Sequence, residues 1–153
     1  LDAAAVVDAL GPMIASAQSY LVPEDFDYLR RGGRLTPLAA TFAHLVKAFP
    51  VMRQTDDGMR LEKLKVARSF AKAIATIGDD LEDRGAGEGR FIGVSHADNL
   101  IQAQEASRLL ASRFPACRHG VFELGPAFIT QGGPGCIAVQ SVDLGEFSDL
   151  ELA

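Results

Sequence analysis

Apolar residues recur at helical spacing over residues 2–15, where Val6, Val7, Leu10 and Ile14 form a stripe. Gly11-Pro12 predicts a kink or split in that helix. Residues 17–22 suit a short strand stopped by Pro23. Asp25 caps a single helical turn through Leu29 that ends at Gly32-Gly33. Thr36 then caps a second helix with Pro37 at its first position, and Leu38, Phe42, Leu45 and Val46 make its apolar face. Phe49–Thr55 and Met59–Leu64 read as strands around the hairpin turn Asp56-Asp57-Gly58. Residues 67–84 form an amphipathic helix with Phe70, Ile74, Ile77 and Leu81 on one side. Gly85–Gly89 is a loose connector. Phe91–Ser95 is a buried strand, followed by a helix over Asn99–Phe114 with Leu100, Ala103, Leu110 and Phe114 inward. Asn99 and Gln102 have the spacing of a capping box. Arg118–Leu124 and Cys136–Val142 are the last two strands, and the acidic tail from Gly145 frays. The expected architecture is α/β (α+β): one six-stranded mixed sheet flanked by about five helices. The strand–helix–strand unit from Phe91 to Leu124 should pair in parallel.

Composition narrows the classes. The 153 residues fit one domain, and 48% hydrophobic with 23% charged residues is a globular balance. A net charge of −5 argues against nonspecific nucleic-acid binding, although Arg30, Arg31 and Arg34 would make a local basic patch. Cys117 and Cys136 lack metal-ligand spacing and read as two buried free thiols in a reducing, cytoplasmic compartment. No stretch approaches the roughly 18 apolar residues of a membrane span. The N-terminus lacks the basic lead of a signal peptide and begins mid-pattern without methionine, as a fragment would.

The segment Phe122–Val139 carries the most chemical information. It reads as a strand, a tight turn, a short apolar-and-hydroxyl stretch, the bend Gly132-Gly133-Pro134-Gly135, and a second strand. Such a bend leaves several backbone N–H groups exposed and lets a ligand come close. A Walker loop would end in Gly-Lys-Ser/Thr, and a dinucleotide fingerprint would lead into a helix; neither is present, so spacing alone favours a plain turn. Arg34, after Gly32-Gly33, suits either an anion contact or a solvated cation at a helix C-terminus. His44, His96 and His119 share no helical face and no metal-like spacing, so each is read as a surface or satisfied core residue. Phe42, Leu45, Val46, Phe128 and Ile129 are core by default, or they line an acyl tunnel. No nucleophile stands beside a general base, so no catalysis is expected.

Together, Tyr28-Leu29 with Gly32-Gly33-Arg34-Leu35 and, some ninety residues on, Glu123, Gly125, Pro126, Thr130 and Gly133-Pro134-Gly135 resemble the DegV family. These are bacterial fatty-acid-binding proteins whose best-understood members present a bound fatty acid to a fatty acid kinase. The resemblance spans most of residues 20–142. It implies that residues 1–153 are one C-terminal domain whose N-terminal α/β partner, bearing the Thr/Ser residues that hold the carboxylate, is absent. It also implies a long-chain fatty acid as ligand, no cofactor, a kinase and the missing half as partners, and room for peripheral membrane contact. The ligand-binding residues implied are Arg34, Leu38, Phe42, Phe128, Ile129, Thr130, Gln131, Gly132 and Gly133. Three departures mark a divergent member: Gln131 where the family usually has histidine, Phe49-Pro50 for its Lys-Pro, and Leu64-Lys65-Val66 for its Val-Arg-Thr. Gln131 can donate and accept hydrogen bonds but carries no charge. The rival readings are a phosphate-binding part of a kinase-associated phosphotransfer protein acting on a small hydroxylated substrate, and a ligand-free regulatory or dimerisation module.

Overall fold

Alternation along the strands sends successive side chains to opposite faces of one sheet. In the computed structural model, which describes residues 2–33 and 48–148, the strands are β1 (Gln18–Val22), β2 (Phe49–Gln54), β3 (Leu61–Ala67), β4 (Arg90–His96), β5 (Arg118–Glu123) and β6 (Ile137–Asp143). Their order is β3-β2-β1-β6-β4-β5. Every neighbouring pair is antiparallel except β4 and β5, which run parallel as the crossover rule predicts. The chain is therefore α/β with a six-stranded mixed sheet.

On the first face, Tyr20, Val22, Val51, Ile92, Val94, Ile137 and Val139 meet two helices, α3 (Phe70–Asp83) and α4 (Leu100–Arg113). From these come Ile74, Ile77, Leu81, Ala103, Ala106 and Leu110, none more than 1% exposed. Each large aliphatic side chain removed from water here contributes roughly 1.5–3 kcal/mol. Small residues on α4 let it approach the sheet closely. Leu100, expected inward, is 51% exposed. The Asn99 cap sets the helix phase so that Ala103, Ala106 and Leu110 face the sheet, and the first-turn Leu100 is left outside.

Three boundaries differ from the pattern. β3 continues to Ala67, so α3 starts only after Ser69, whose hydroxyl accepts the Lys72 N–H. Residues 3–16 form one helix, α1 (Ala3–Ser16), despite Gly11-Pro12. It buries no side chain, so water can satisfy the carbonyl that Pro12 leaves without a donor. The tail does not fray at once: Leu144 is buried, Gly145–Phe147 makes a 3-10 turn, and Arg118 donates to the Ser148 carbonyl. The helix predicted from Thr36, with Arg34, Leu38, Phe42, His44, Leu45 and Val46, lies outside the described residues.

One polar cluster fastens α3 to the sheet. Asp80 accepts the Tyr20 hydroxyl at 2.7 Å, Arg53 Nη1 at 2.7 Å and Arg84 Nε at 3.0 Å, while Arg53 also reaches Glu62. Burial first, and then the bond to Asp80, push the Tyr20 phenol far above its ordinary value.

Candidate functional site

The second face of the sheet is organised differently. Leu21 and Met52 lie opposite each other in register, with Ala138 on the far side of Leu21. Over this apolar row sit two short helices, α2 (Phe26–Arg31) and α5 (Pro126–Gly132). Leu29 of α2 is 1% exposed and packs with Met52, Leu21, Phe26 and Leu61.

The stretch expected as turn and apolar-and-hydroxyl loop is thus a helix. Gly125 precedes it, Pro126 occupies its first turn, and Gly133 ends it with φ 80° and ψ 167°. The sequence signal was Gly-Pro followed by a glycine stop, a helix start and end set only seven residues apart. Thr130 donates its hydroxyl to the Ala127 carbonyl and is exposed.

The two motifs interlock. A Cβ on Gly32 would touch Gln131 Cβ at 3.5 Å, one on Gly133 would lie 2.9 Å from Tyr28 Cγ, and one on Gly135 would lie 2.8 Å from Glu24 Cδ. The close approach that glycine permits is therefore made by the protein's own α2 segment. The N–H of Gly133 donates to the Ile129 carbonyl, and that of Gly135 to Ala97. The expected set of exposed N–H donors is reduced accordingly, since Pro134 has none.

The end of β4 holds the same bend from beneath. Ala97 N–H donates to the Cys136 carbonyl and Asn99 Nδ2 to the Gly135 carbonyl at 3.0 Å. The Asn99 backbone N–H goes to His96 Nδ1 at 3.2 Å, so the capping pair is not reciprocal: Gln102 meets the Asn99 side chain instead. His96 is thereby a satisfied, buried histidine. His119 bonds through Nε2 to the Phe114 carbonyl, and its buried Nδ1 has no partner among the described residues.

Between α2, α5 and the β2–β3 hairpin lies a cavity of about 320 Å³. Its apolar wall includes Leu21, Leu29, Leu61, Leu124, Phe128, Cys136 and Ala138. Gln131 and Gly132 line it at the α5 end, and Gln54, Met59 and Arg60 at the hairpin end, with Ser19 and Gln140 on the floor. Of the candidate residues, Phe128, Gln131 and Gly132 come together here. Gln131 is half-buried, and its side-chain amide has no hydrogen-bond partner among the described residues. Ile129 and Thr130 lie elsewhere on α5, Gly133 is covered by Tyr28, and Arg34, Leu38 and Phe42 are outside the described residues. Ser19, Leu21, Ala138 and Gln140 were missed. Strand alternation against the core residues Tyr20 and Val139 was the signal that could have found them. Among the described residues, no His/Cys/Asp/Glu cluster could hold a metal ion.

Comparison with known proteins decides the family. The family model described as "Uncharacterised protein, DegV family" matches residues 1–143. The chain belongs to the DegV family. It is 31% identical over 134 residues to the DegV domain-containing protein SCO2569 of Streptomyces coelicolor, covering 87% of this chain and 47% of that one. It also resembles the solved DegV family protein Cg2579 of Corynebacterium glutamicum, with TM-score 0.81 and 21% identity over 93% of this chain and 54% of that one. A DegV family protein of Ruminococcus gnavus, solved with vaccenic acid, matches with TM-score 0.79 and 25% identity over 92% and 50% of the two chains. This DegV chain thus spans about half the length of the relatives it matches.

Cys136 offers a direct probe of the DegV cavity. Both cysteines are free and buried, as expected, and burial pushes the Cys136 thiol up to about 11 from 9.0. The folded value is raised, so this group's contribution to stability is complete below pH 9 and is lost as pH rises through 11. At pH 8 a thiol reagent should leave Cys136 essentially unmodified in the native protein and label it on unfolding, as read by mass spectrometry. Fast native labelling would show a cavity open to the reagent.

Proposed function

We propose that this chain is the C-terminal, lipid-binding half of a two-domain cytoplasmic carrier. The carrier shields the chain of a fatty acid and offers its carboxylate to a separate fatty acid kinase. The protein acts by binding, without a cofactor and without catalysis of its own. The observation that carries this reading is the cavity of about 320 Å³, walled by Leu21, Leu29, Leu124, Phe128 and Ala138 on the sheet face away from the main core. Each methylene buried against such a wall contributes about 0.8 kcal/mol, enough for a long chain to be held without any strong polar contact. The Ruminococcus gnavus relative solved with vaccenic acid supports the same ligand class. Gln131 is the neutral donor that meets the carboxylate in this reading, and the family motif adds Arg34, Leu38, Phe42, Ile129, Thr130 and Gly133 as candidate ligand contacts. The half preceding this chain supplies the remaining carboxylate contacts.

The phosphotransfer alternative has less support, because the Gly133 and Gly135 N–H groups are engaged within the protein. A ligand-free module predicts a filled interior, and the cavity speaks against it. The test is to express the natural full-length protein, extract it with organic solvent and analyse the extract by mass spectrometry. A stoichiometric fatty acid is expected. A clean extract, with no thermal shift on adding fatty acids, would overturn the reading.

A further inference from the structure

The floor of the cavity is not uniformly apolar. Ser19 on β1 pairs with Gln140 on β6, and one step further along the β1–β2 register Gln54 stands beside Ser19. These three residues form a polar row straight across the three central strands, and all three line the cavity. The next row toward α5, Met52-Leu21-Ala138, is wholly apolar. Neither the Ser19 hydroxyl nor the Gln140 amide has a hydrogen-bond partner among the described residues. Among the described residues Gln54 uses only its amide nitrogen, on the Gly58 carbonyl at 2.8 Å. A saturated chain lying over this row would strip water from these groups and return no hydrogen bond.

The row also lies at a definite distance from the α5 end. A Cβ on Gly132, next to Gln131, would be 2.8 Å from Cys136 Sγ. Gln140 is four extended residues beyond Cys136, which precedes β6, about 13 Å, or roughly ten carbons of an extended chain. From this juxtaposition of a polar row with an apolar row, we propose that the ligand is a hydroxylated long-chain fatty acid. Its mid-chain oxygen, near carbon ten, hydrogen-bonds to Gln140, Ser19 and Gln54. The inference rests on the fatty-acid reading above and names the class of acid. A hydroxyl both donates and accepts, as do the Ser19 hydroxyl and the Gln140 amide, whereas a keto oxygen would only accept.

The test compares 10-hydroxyoctadecanoic with octadecanoic acid by titration calorimetry on the delipidated full-length protein. The hydroxy acid should bind at least about tenfold more tightly. Gln140→Leu should abolish that preference and bind octadecanoic acid at least as well as the parent protein, while Gln140→Asn retains part of the preference. Ser19→Ala should give a smaller loss of discrimination, and thermal midpoints establish that each variant is folded. Equal or tighter binding of octadecanoic acid by the parent protein would overturn the inference and leave the fatty-acid reading intact. So would a carboxylate site at the opposite end, detected as loss of octadecanoic acid binding on Arg60→Gln. If neither acid binds, the fatty-acid reading itself fails, and the inference goes with it.

Discussion

Gly133→Ala should destabilise the protein by about 2–4 kcal/mol and separate α2 from α5. Two effects act together. At φ 80° and ψ 167° the backbone lies in a region essentially reserved for glycine. The new methyl group would also stand 2.9–3.1 Å from the Tyr28 Cβ, Cγ and Cδ2 atoms, which belong to the base of the ring rather than a flexible tip. Tyr28 must therefore swing away, and α2 with it, since Leu29 is the buried anchor of the same helix. The double variant Tyr28→Ala/Gly133→Ala removes the overlap with Cγ and Cδ2 but keeps the Cβ contact at 3.0 Å and the backbone strain. It should therefore recover only part of the loss relative to Tyr28→Ala alone. Denaturant unfolding of the four proteins measures this directly. Full recovery would mean that the ring contact alone sets the requirement for glycine, and no loss in the single variant would refute both terms. In the fatty-acid reading the cavity loses its α2 wall, so ligand retention should fall in parallel.

Asp80→Ala is expected to have a comparable effect from the opposite edge of the core, about 2–4 kcal/mol. The Asp80 side chain is 13% exposed and accepts from Tyr20, Arg53 and Arg84 together. Removing it leaves the Tyr20 phenol with the long 3.4 Å contact to Gln18 Oε1 and Arg84 with the long contact to Asp56 at 3.7 Å, although Arg53 keeps Glu62. Tyr20→Phe removes one donor and no charge, and should lose about 1 kcal/mol. The pH dependence separates them. The folded phenol holds its proton above the ordinary value of 10.0, so its contribution is complete below pH 10 and falls as pH rises beyond it. Tyr20→Phe should flatten that alkaline decline in urea-unfolding stability. An unchanged slope would place the alkaline loss elsewhere, with Cys136 the next group to examine.

Several elements were legible because they depend on local rules. The Asp56-Asp57-Gly58 turn, the Asn99 cap, the apolar stripe of α3 and the strand runs of β1 and β6 are each set by neighbours a few residues away. The same rules mislaid α5. At seven residues it has too few turns to show a period, and its helical state depends on docking against α2. Candidate-site residues split along the same line. Phe128, Gln131 and Gly132 were found through their motif, whereas Ser19 and Gln140 have no motif and owe their meeting to strand register over more than a hundred residues.

By itself the sequence determined that the chain is a DegV-type α/β domain, because the motif residues and the strand and helix periods are carried in one dimension. What touches the glycines was decided only in three dimensions. Tyr28 and Glu24 close on Gly133 and Gly135 because β1, the α2 segment and β6 converge at one end of the sheet. The same convergence leaves space on the second sheet face, and no local pattern encodes an empty volume between elements distant in sequence.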